Sequence, residues 1–228
     1  MSDTPPSRLA ELAELGVITA SLLHELRQPL FAVKGRLQLS LHGGRPLGPD
    51  EIEILLTHVG HIEELVEHYT GLGRADDSWT DLDLRDEIAS ATGLLAHRIR
   101  QIGATIEVET GEEPLYLRGR AVAIRQVVVN LVGNALDAVA AHERRRVRIR
   151  AARSGGSIVL EVVDSGPGVA PELRERLFEP FVTTKPPGRG TGLGLYIARK
   201  LAEEVGGTVR LDCPSAGGTR MVVELPSN

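Results

Sequence analysis

The sequence predicts an α+β protein with an N-terminal helical hairpin and a C-terminal α/β sandwich. Apolar residues recur at alternating spacings of three and four through residues 9–72, which is typical of helices that pack along a seam. From residue 84 onward, helix-like segments mix with short β-rich runs and glycine-rich turns, a pattern that favours an α+β sandwich over repeated βαβ units. We therefore expect a hairpin over residues 1–73, a linker over residues 74–83 and a second domain over residues 84–228.

Composition narrows the class of protein. The chain has 228 residues, of which 42% are hydrophobic, enough for one or two domains with their own cores. The net charge of -5 argues against nucleic acid as the main partner. No apolar run reaches the roughly 18 residues that a membrane span needs. The single cysteine, Cys213, is typical of a cytoplasmic protein without disulfides.

The hairpin is predicted from two apolar seams that are separated by a turn. The turn is the glycine- and proline-rich run 42–49, after which Asp50 is placed to cap a second helix. Two helices with one apolar stripe each cannot bury both stripes well alone, which favours a homodimer with a four-helix bundle. The first seam includes Leu9, Leu12, Leu23, Leu26, Leu30, Val33 and Leu37, and the second comprises Ile52, Leu55, Val59, Ile62, Val66, Tyr69 and Leu72.

His24 is predicted to project from the first helix into solvent, about 160° from the middle of the seam. An exposed imidazole is close to neutral at physiological pH and is nucleophilic. Glu25 follows it and could accept a ring proton, while Pro29 is expected to bend the helix just beyond. Most exposed histidines are merely solvated, so a reactive role for His24 depends on these neighbours.

A polar stripe is predicted on the helix expected from about residue 120 to residue 142. Asn130, Asn134 and Asp137 are spaced to lie on one side of it. Amide oxygens are hard ligands, which suits Mg²⁺ held beside phosphates. A solvated helix face is the alternative interpretation, and the motifs downstream favour the ligand site.

The strand predicted over residues 157–163 runs into the segment 164–168, Asp-Ser-Gly-Pro-Gly. The carboxylate of Asp164 at a strand end is an acceptor suited to the exocyclic amine of adenine, whereas guanine would present a carbonyl and be repelled. Gly166 and Gly168 permit close backbone approach. The same five residues are also compatible with a simple turn.

A glycine-rich run precedes the last predicted helix, expected near residues 193–205. The free amides and positive end of that helix favour phosphate. The run is neither a dinucleotide-binding fingerprint nor a P-loop, because it lacks a surrounding βαβ unit and a closing Gly-Lys-Ser/Thr. Phe178 and Phe181 just upstream could anchor a mobile lid or simply fill the core. The glycines are Gly190, Gly192 and Gly194, and the candidate phosphate-binding cations are Lys185 and Arg189.

In this order the motifs resemble those of two-component sensor histidine kinases. Residues 24–30, His-Glu-Leu-Arg-Gln-Pro-Leu, resemble the H-box. The stripe, the Asp164 turn, the paired phenylalanines and the glycine run resemble the N, G1, F and G2 boxes of the catalytic domain. The resemblance runs from about residue 8 to the end of the chain. It implies that the second domain has the GHKL (Bergerat) ATP-binding fold shared with Hsp90, gyrase B and MutL.

The resemblance also implies roles for individual residues. His24 would accept the phosphoryl group and Glu25 would act as its base, while Asn130 and Asn134 would hold Mg²⁺ and phosphate. Asp164 would bind adenine. The complete set expected to bind ATP is Asn130, Asn134, Asp137, Asp164, Gly166, Gly168, Lys185, Arg189, Gly190, Thr191, Gly192, Leu193, Gly194, Leu195 and Thr219.

The expected function is that of a histidine autokinase. The γ-phosphate of ATP would pass to His24 and then to an aspartate of a separate response regulator, with the protein acting as a homodimer. Gln28 stands where many family members have Thr or Asn, which implies weak phosphatase activity. The arginines of residues 144–153 alternate with apolar residues, as on the outer face of a strand rather than in a nucleic-acid site.

Two other classes of function remain open at this point. One is a scaffold or pseudokinase that binds ATP as a switch, which the intact Asn134, Asp164 and glycine boxes argue against. The other is an ATPase that uses nucleotide to clamp a dimer, which leaves the H-box unexplained.

Overall fold

A computed structural model describes residues 26–70, 78–185, 192–214 and 217–228 of the chain. The chain divides into two compact units, Met1–Thr70 and Gly71–Asn228. The described part of the first unit is helical, and the second unit mixes helices with strands.

Two helices make up the described part of the first unit, α1 over residues 26–43 and α2 over Pro49–Thr70. The predicted cap at Asp50 is wrong, because Asp50 lies inside the first turn of α2. Pro49 takes the first helical position, where its missing N–H costs nothing. The N–H of Gly48 donates to Glu51 Oε2 at 3.1 Å, so the glutamate in the first turn reaches back to the capping residue.

Much of the apolar surface of the first unit stays exposed within a single chain. On the predicted seams Leu55 is buried, whereas Leu30, Leu37 and Ile52 are 52%, 48% and 46% exposed. Large exposed apolar patches are typical of surfaces that contact another molecule. Further exposed apolar side chains of this unit are Phe31, Leu39, Leu41, Ile54, Leu56 and Val59.

The second unit is built on a five-stranded mixed sheet. Its strands are β2 (Thr105–Glu109), β4 (Arg146–Ser154), β5 (Ser157–Asp164), β6 (Thr208–Asp212) and β7 (Thr219–Pro226). The strand order is β2-β4-β5-β7-β6, with β2 and β4 parallel and the other neighbours antiparallel. The sequence predicts strands over residues 104–109, 147–151, 157–163, 208–212 and 219–225, and the structure has a strand at each of these places. The mixture of helices and strands confirms the α+β class.

A separate antiparallel pair consists of β1 (Thr80–Asp83) and β3 (Tyr116–Gly119). Residues 80–83 fall in the segment predicted as a linker, so part of that segment is a strand of the second unit. The four residues of β1 include a single apolar side chain, Leu82, which is buried. One buried residue gives no detectable period, which is why the sequence does not indicate this strand.

The helices of the second unit are α3 (Leu84–Leu94), α4 (Ala96–Ile102), α5 (Ala121–Val139), α6 (Pro171–Arg174) and α7 (Gly194–Glu204). The sequence predicts one continuous helix over residues 85–101, but the chain breaks it into α3 and α4 at Leu95, where ψ is 0°. Gly93 stands just before the break, and its low helix propensity weakens the helix there.

The central helix of the second unit is α5. Ile124, Val128, Leu131 and Leu136 on α5 are at most 1% exposed, and the helix packs against α3, α7 and β5. Among the helices that the structure describes, α5 alone has the length and hydropathy of a membrane span, and 67% of its apolar stretch is buried in the unit. Its place at the centre of the core accounts for that composition.

The outer face of the sheet carries an ordered ladder of charges. Glu107 pairs with Arg148 at 3.0 Å and with Arg146 at 3.5 Å, and Glu109 pairs with Arg150 at 2.6 Å. The parallel register of β2 and β4 places Glu107 opposite Arg148 and Glu109 opposite Arg150. The arginine run is therefore the outer face of a strand, as predicted, and three of its charges are already paired.

Asp83 joins three segments near the start of the second unit. Its Oδ1 accepts from the backbone N–H groups of Arg85 and Leu115, both at 3.1 Å, so it caps α3 and holds the approach to β3. The Arg85 guanidinium donates to Asp83 Oδ2 through Nε at 2.9 Å and Nη2 at 2.7 Å, and its Nη1 donates to the Glu112 carbonyl. These hydrogen bonds, above all those from the Arg85 side chain, lower the pKa of Asp83.

We expect Asp83→Asn to lower the free energy of unfolding of the second unit by about 2 kcal/mol, because it removes charge-assisted hydrogen bonds. The lowered pKa means that the stabilisation is present above the pKa of the unfolded aspartate and is lost as the pH falls through the folded value. Denaturant unfolding at several pH values measures the difference between the two proteins, which should shrink in acid. Asp86→Asn, at an exposed position of the same helix, is the control. An equal effect of both substitutions would contradict the assignment.

Candidate nucleotide-binding site

Asp164, the last residue of β5, is 8% exposed and its carboxylate is held from two directions. Oδ1 accepts from the Gly166 N–H at 2.8 Å and from the Thr219 N–H at 3.3 Å. The Thr219 hydroxyl is also hydrogen-bonded to the carboxylate. Because an ionised carboxylate has about four acceptor sites, these three bonds leave capacity for a donor from a ligand.

Opposing effects act on the pKa of the Asp164 carboxyl. Burial raises its pKa, and the hydrogen bonds from Gly166 and Thr219 and the nearby His142 oppose that rise without cancelling it. A ligand that donates a hydrogen bond would favour the ionised form. Ligand binding and the proton on Asp164 are therefore linked.

The loop after Asp164 lies directly on the end of α5. A Cβ at Gly166 would come within 2.9 Å of both the Ala138 carbonyl oxygen and Asp164 Oδ1, so a side chain has no room there. Gly168 packs against the Gly218 backbone, next to Thr219. Asp164, Gly166, Gly168 and Thr219, which the sequence predicts as one pocket, thus lie together around the Asp164 carboxylate, and these four residues form the acceptor corner.

The α5 stripe contributes a buried amide with an unused donor. Asn130 is 2% exposed, and its Oδ1 accepts from Gln126 Nε2 at 3.0 Å. Asn130 Nδ2 is buried without a hydrogen-bond partner among the residues that the structure describes. Such a group costs about 1–3 kcal/mol, and a phosphate oxygen would satisfy it. Asn134, one turn further, is half-buried.

Asp137 at the end of the stripe is bound by two cations. Its Oδ1 is paired with Arg98 Nη2 and its Oδ2 with Lys185 Nζ. The sequence predicts Asp137 and Lys185 as separate nucleotide contacts, and the structure brings them together. Arg98 on α4 is absent from the predicted site, because no motif includes it and only its ion pair with Asp137 of α5 reveals it.

Phe181, in the segment that resembles the F box, lies against Gly192, in the segment that resembles the G2 box. Both residues have positive φ angles, 65° and 66°. A Cβ at Gly192 would lie 2.5 Å from the Phe181 carbonyl carbon, so this contact requires glycine. Phe178 is anchored by Arg199 of α7, whose guanidinium lies 5.8 Å from the ring centroid. Phe181 is 38% exposed, which argues against its being core filler.

Helix α7 begins two residues after Gly192. Leu193 is fully buried, so its side chain belongs to the core, and α7 begins at Gly194. Leu195 is half-buried. The predicted residues His24, Glu25, Arg189, Gly190 and Thr191 lie outside the described residues.

The amide oxygens of Asn130 and Asn134 on the α5 stripe are suitable ligands for Mg²⁺, but the described residues do not form a metal site made of protein ligands alone. Among residues 26–70, 78–185, 192–214 and 217–228, no three His, Cys, Asp or Glu side chains are grouped to hold a metal. Asn130 Oδ1 uses one of its two lone pairs for Gln126, which leaves the other for a cation. A hard cation bound here would be coordinated by these amide oxygens together with oxygens of phosphates and water, as Mg²⁺ prefers.

Comparisons with known proteins identify the fold and the family. Residues 119–228 match the family described as histidine kinase-, DNA gyrase B-, and HSP90-like ATPase. The catalytic domain of histidine kinase ThkA is 32% identical with a TM-score of 0.58, over 65% of this chain and 95% of that one. The acceptor corner and amide stripe therefore lie in an ATPase domain of this class. The chain belongs to the two-component sensor histidine kinases.

One further relative and a second structure of ThkA extend the likeness to the first unit. The two-component sensor PprA of Pseudomonas aeruginosa is 35% identical over 231 residues, which cover 95% of this chain and 25% of PprA. The chain thus spans about a quarter of the length of that relative. A crystal structure of ThkA in complex with response regulator protein TrrA has a TM-score of 0.70 at 24% identity, over 97% of this chain and 64% of that one, which shows a shared fold.

We expect Gly192→Ala to weaken ATP binding about tenfold or more, because the added Cβ pushes Phe181 away and a left-handed backbone is costly for alanine. Isothermal calorimetry with Mg·ATP measures the change. Gly155→Ala is the matched control, since Gly155 has φ 62° and open space around it in the β4–β5 turn, at the opposite end of β5 from Asp164. If the two variants bind ATP equally well, the Phe181–Gly192 contact has no part in the site.

Proposed function

We propose that this chain is a histidine autokinase that transfers the γ-phosphate of ATP to His24 and then to an aspartate of a separate response regulator. The observation that carries the proposal is the acceptor corner at Asp164. It lies beside α5, where the buried Asn130 amide has an N–H donor without a partner among the described residues. Membership of the histidine kinase family supports the choice of acceptor residue.

The geometry at Asp164 favours adenine over guanine. The carboxylate accepts hydrogen bonds and donates none while it is ionised, so it suits the exocyclic amine of adenine and repels the carbonyl of guanine. Because Gly166 has no side chain and no room for one, the flat base would lie against backbone atoms there. Thr219 fixes the carboxylate from the β7 side.

The phosphates would lie along the α5 stripe. Asn130 Nδ2 is available for a phosphate oxygen, Lys185 supplies positive charge, and the N-terminal end of α7 adds its dipole. Mg²⁺, held by the amide oxygens of Asn130 and Asn134, would neutralise phosphate charge and orient the γ-phosphate. The contribution of these residues is position and charge, as phosphoryl transfer requires.

His24 would attack the γ-phosphorus through a ring nitrogen. The new N–P bond forms as the bond from phosphorus to the bridging oxygen of ADP breaks, and ADP leaves with that electron pair. Glu25 takes the proton from the other ring nitrogen. The phosphoryl group would then pass to a carboxylate of the regulator, which leaves His24 free for another cycle.

Homodimerisation through the first unit is part of the proposal. Leu30, Leu37 and Ile52 of the predicted seams are each close to half exposed in one chain. A second hairpin would cover them and complete four helices, with burial worth about 25 cal/mol per Å² of apolar surface. The response regulator bound to ThkA supports a partner of that class. The cytoplasmic location expected from Cys213 stays a prediction, as does weak phosphatase activity from Gln28.

Incubation with γ-³²P-ATP and Mg²⁺ tests the reaction. We expect an acid-labile, alkali-stable label on the wild-type chain that is lost in His24→Gln, because the phosphoramidate can form only on that imidazole. His42→Gln is the control, as His42 is an exposed histidine at the end of α1. Label that survives in His24→Gln would place the acceptor elsewhere. ATP binding without any label would favour the scaffold or switch.

Asp164→Asn should reverse the preference between purines. The amide oxygen of the asparagine can accept the hydrogen bonds from the N–H groups of Gly166 and Thr219, so its NH₂ group would face the base. That NH₂ group repels the exocyclic amine of adenine and can donate to the carbonyl of hypoxanthine. We expect ADP affinity to fall about a hundredfold, the scale for leaving buried polar groups unpaired, and IDP affinity to rise relative to it. Asp212→Asn, at the end of β6 and paired with Arg220, is the control. Unchanged ADP binding would remove Asp164 from the site.

The pH dependence provides a second measurement on the same variants. The adenine amine favours ionised Asp164, whose pKa is raised by burial, so ADP affinity of the wild type should weaken as the pH falls through that pKa. Asp164→Asn should lack this dependence. Titration of the phosphates affects both proteins alike and cancels in the comparison.

A further inference from the structure

The ion pairs around Asp137 point to a role for Arg98, a residue of α4 that belongs to none of the motifs. We propose that Arg98 is a positioning residue: it occupies one oxygen of Asp137, so that Lys185 on the other oxygen keeps a positive charge available to the phosphates of ATP. This inference rests on the proposed ATP site and adds a residue to it.

The geometry divides the carboxylate between two cations. Arg98 Nη2 is paired with Oδ1 and Lys185 Nζ with Oδ2, so neither oxygen serves both groups. A Cβ at Gly133 would lie 3.5 Å from Arg98 Nη1, which places the guanidinium across the turn of α5 between Gly133 and Asp137. A larger side chain at position 133 would crowd that path.

The cluster carries one surplus positive charge. With Arg98 in place, one carboxylate faces two cations, and the sum is a single positive charge beside the amide stripe. Without Arg98, Asp137 and Lys185 form a neutral pair, and a triphosphate meets no net attraction there. Asp137 lies about 4.5 Å along the helix axis from Asn134, which places this charge one turn from the proposed phosphate contacts.

The ion pairs are accessible enough to exchange partners. The side chains of Arg98, Asp137 and Lys185 are 27%, 29% and 31% exposed. Ion pairs at such positions are weak in water, so a phosphate oxygen can compete with Asp137 for the lysine. Arg98 lowers the cost of that exchange because it stays with Asp137 after Lys185 turns to the ligand.

A purely structural role for Arg98 makes different predictions. If the arginine only braces α4 against α5, its removal lowers stability, and a second substitution at Asp137 does not restore nucleotide binding. If it sets the charge on Lys185, removal of Asp137 in the same protein frees the lysine and restores binding. The sign of the second effect distinguishes the two roles.

The experiment measures the affinity of the full chain for Mg·ATP by displacement of a fluorescent ATP analogue. We expect Arg98→Gln to weaken binding about tenfold at low salt and less as salt rises, because the lost term is electrostatic. Arg98→Lys should bind ATP about as tightly as the wild type, since it keeps the charge. The double variant Arg98→Gln/Asp137→Asn should recover to within about threefold of the wild type.

Arg100→Gln is the matched control, because Arg100 is an exposed arginine on the same helix. Equal binding by Arg98→Gln and wild type, or a double variant as weak as Arg98→Gln, would overturn the proposal while leaving the ATP site intact. A wild-type chain that does not bind ATP would instead remove the proposed function itself. Thermal unfolding of each variant shows that it is folded.

Discussion

The hydrogen bonds of the Asp164 carboxylate tie together segments that are distant in the sequence, and the candidate site depends on them. Oδ1 accepts from Gly166 in the loop after β5 and from Thr219 at the start of β7. Asp164 and Thr219 are also direct partners in the β5–β7 register. A slip of one residue would turn Asp164 to the opposite face of the sheet. The register of β5 and β7, the position of the loop after β5 and the orientation of the Asp164 carboxylate are therefore fixed together.

The two units bury their apolar residues in different ways. In the second unit Ile124 and Leu131 of α5 and Leu160 of β5 are shielded completely or nearly so by their own chain, and few aromatic residues are needed. In the first unit Leu30 and Leu37 remain close to half exposed. In the proposed homodimer, the stability of the first unit would therefore depend on protein concentration, whereas the stability of the second unit would not.

The sequence predicts those parts of the structure that have a local period or a local motif. The strands from β4 to β7 and helix α5 follow from apolar periodicity, and Asp164 and Gly166 follow from a strand that ends in a glycine turn. β1 is missed because only Leu82 in it is buried. Arg98 is missed because its partner, Asp137, lies 39 residues further along the chain, and Lys185, the second cation on Asp137, lies 48 residues beyond that. Such ion pairs depend on the tertiary packing of distant segments, which no local pattern encodes.

Charged residues on the two edge strands of the sheet oppose pairing with a further strand. β2 and β6 are the edge strands, each only five residues long. Glu107 and Glu109 line β2, and Arg210 and Asp212 line β6, so both edges present charge where an added strand would have to pair. Short, charged edges oppose edge-to-edge sheet growth. At the high local concentration that the proposed homodimer would impose, these edges would protect the sandwich from aggregation into extended β-structure.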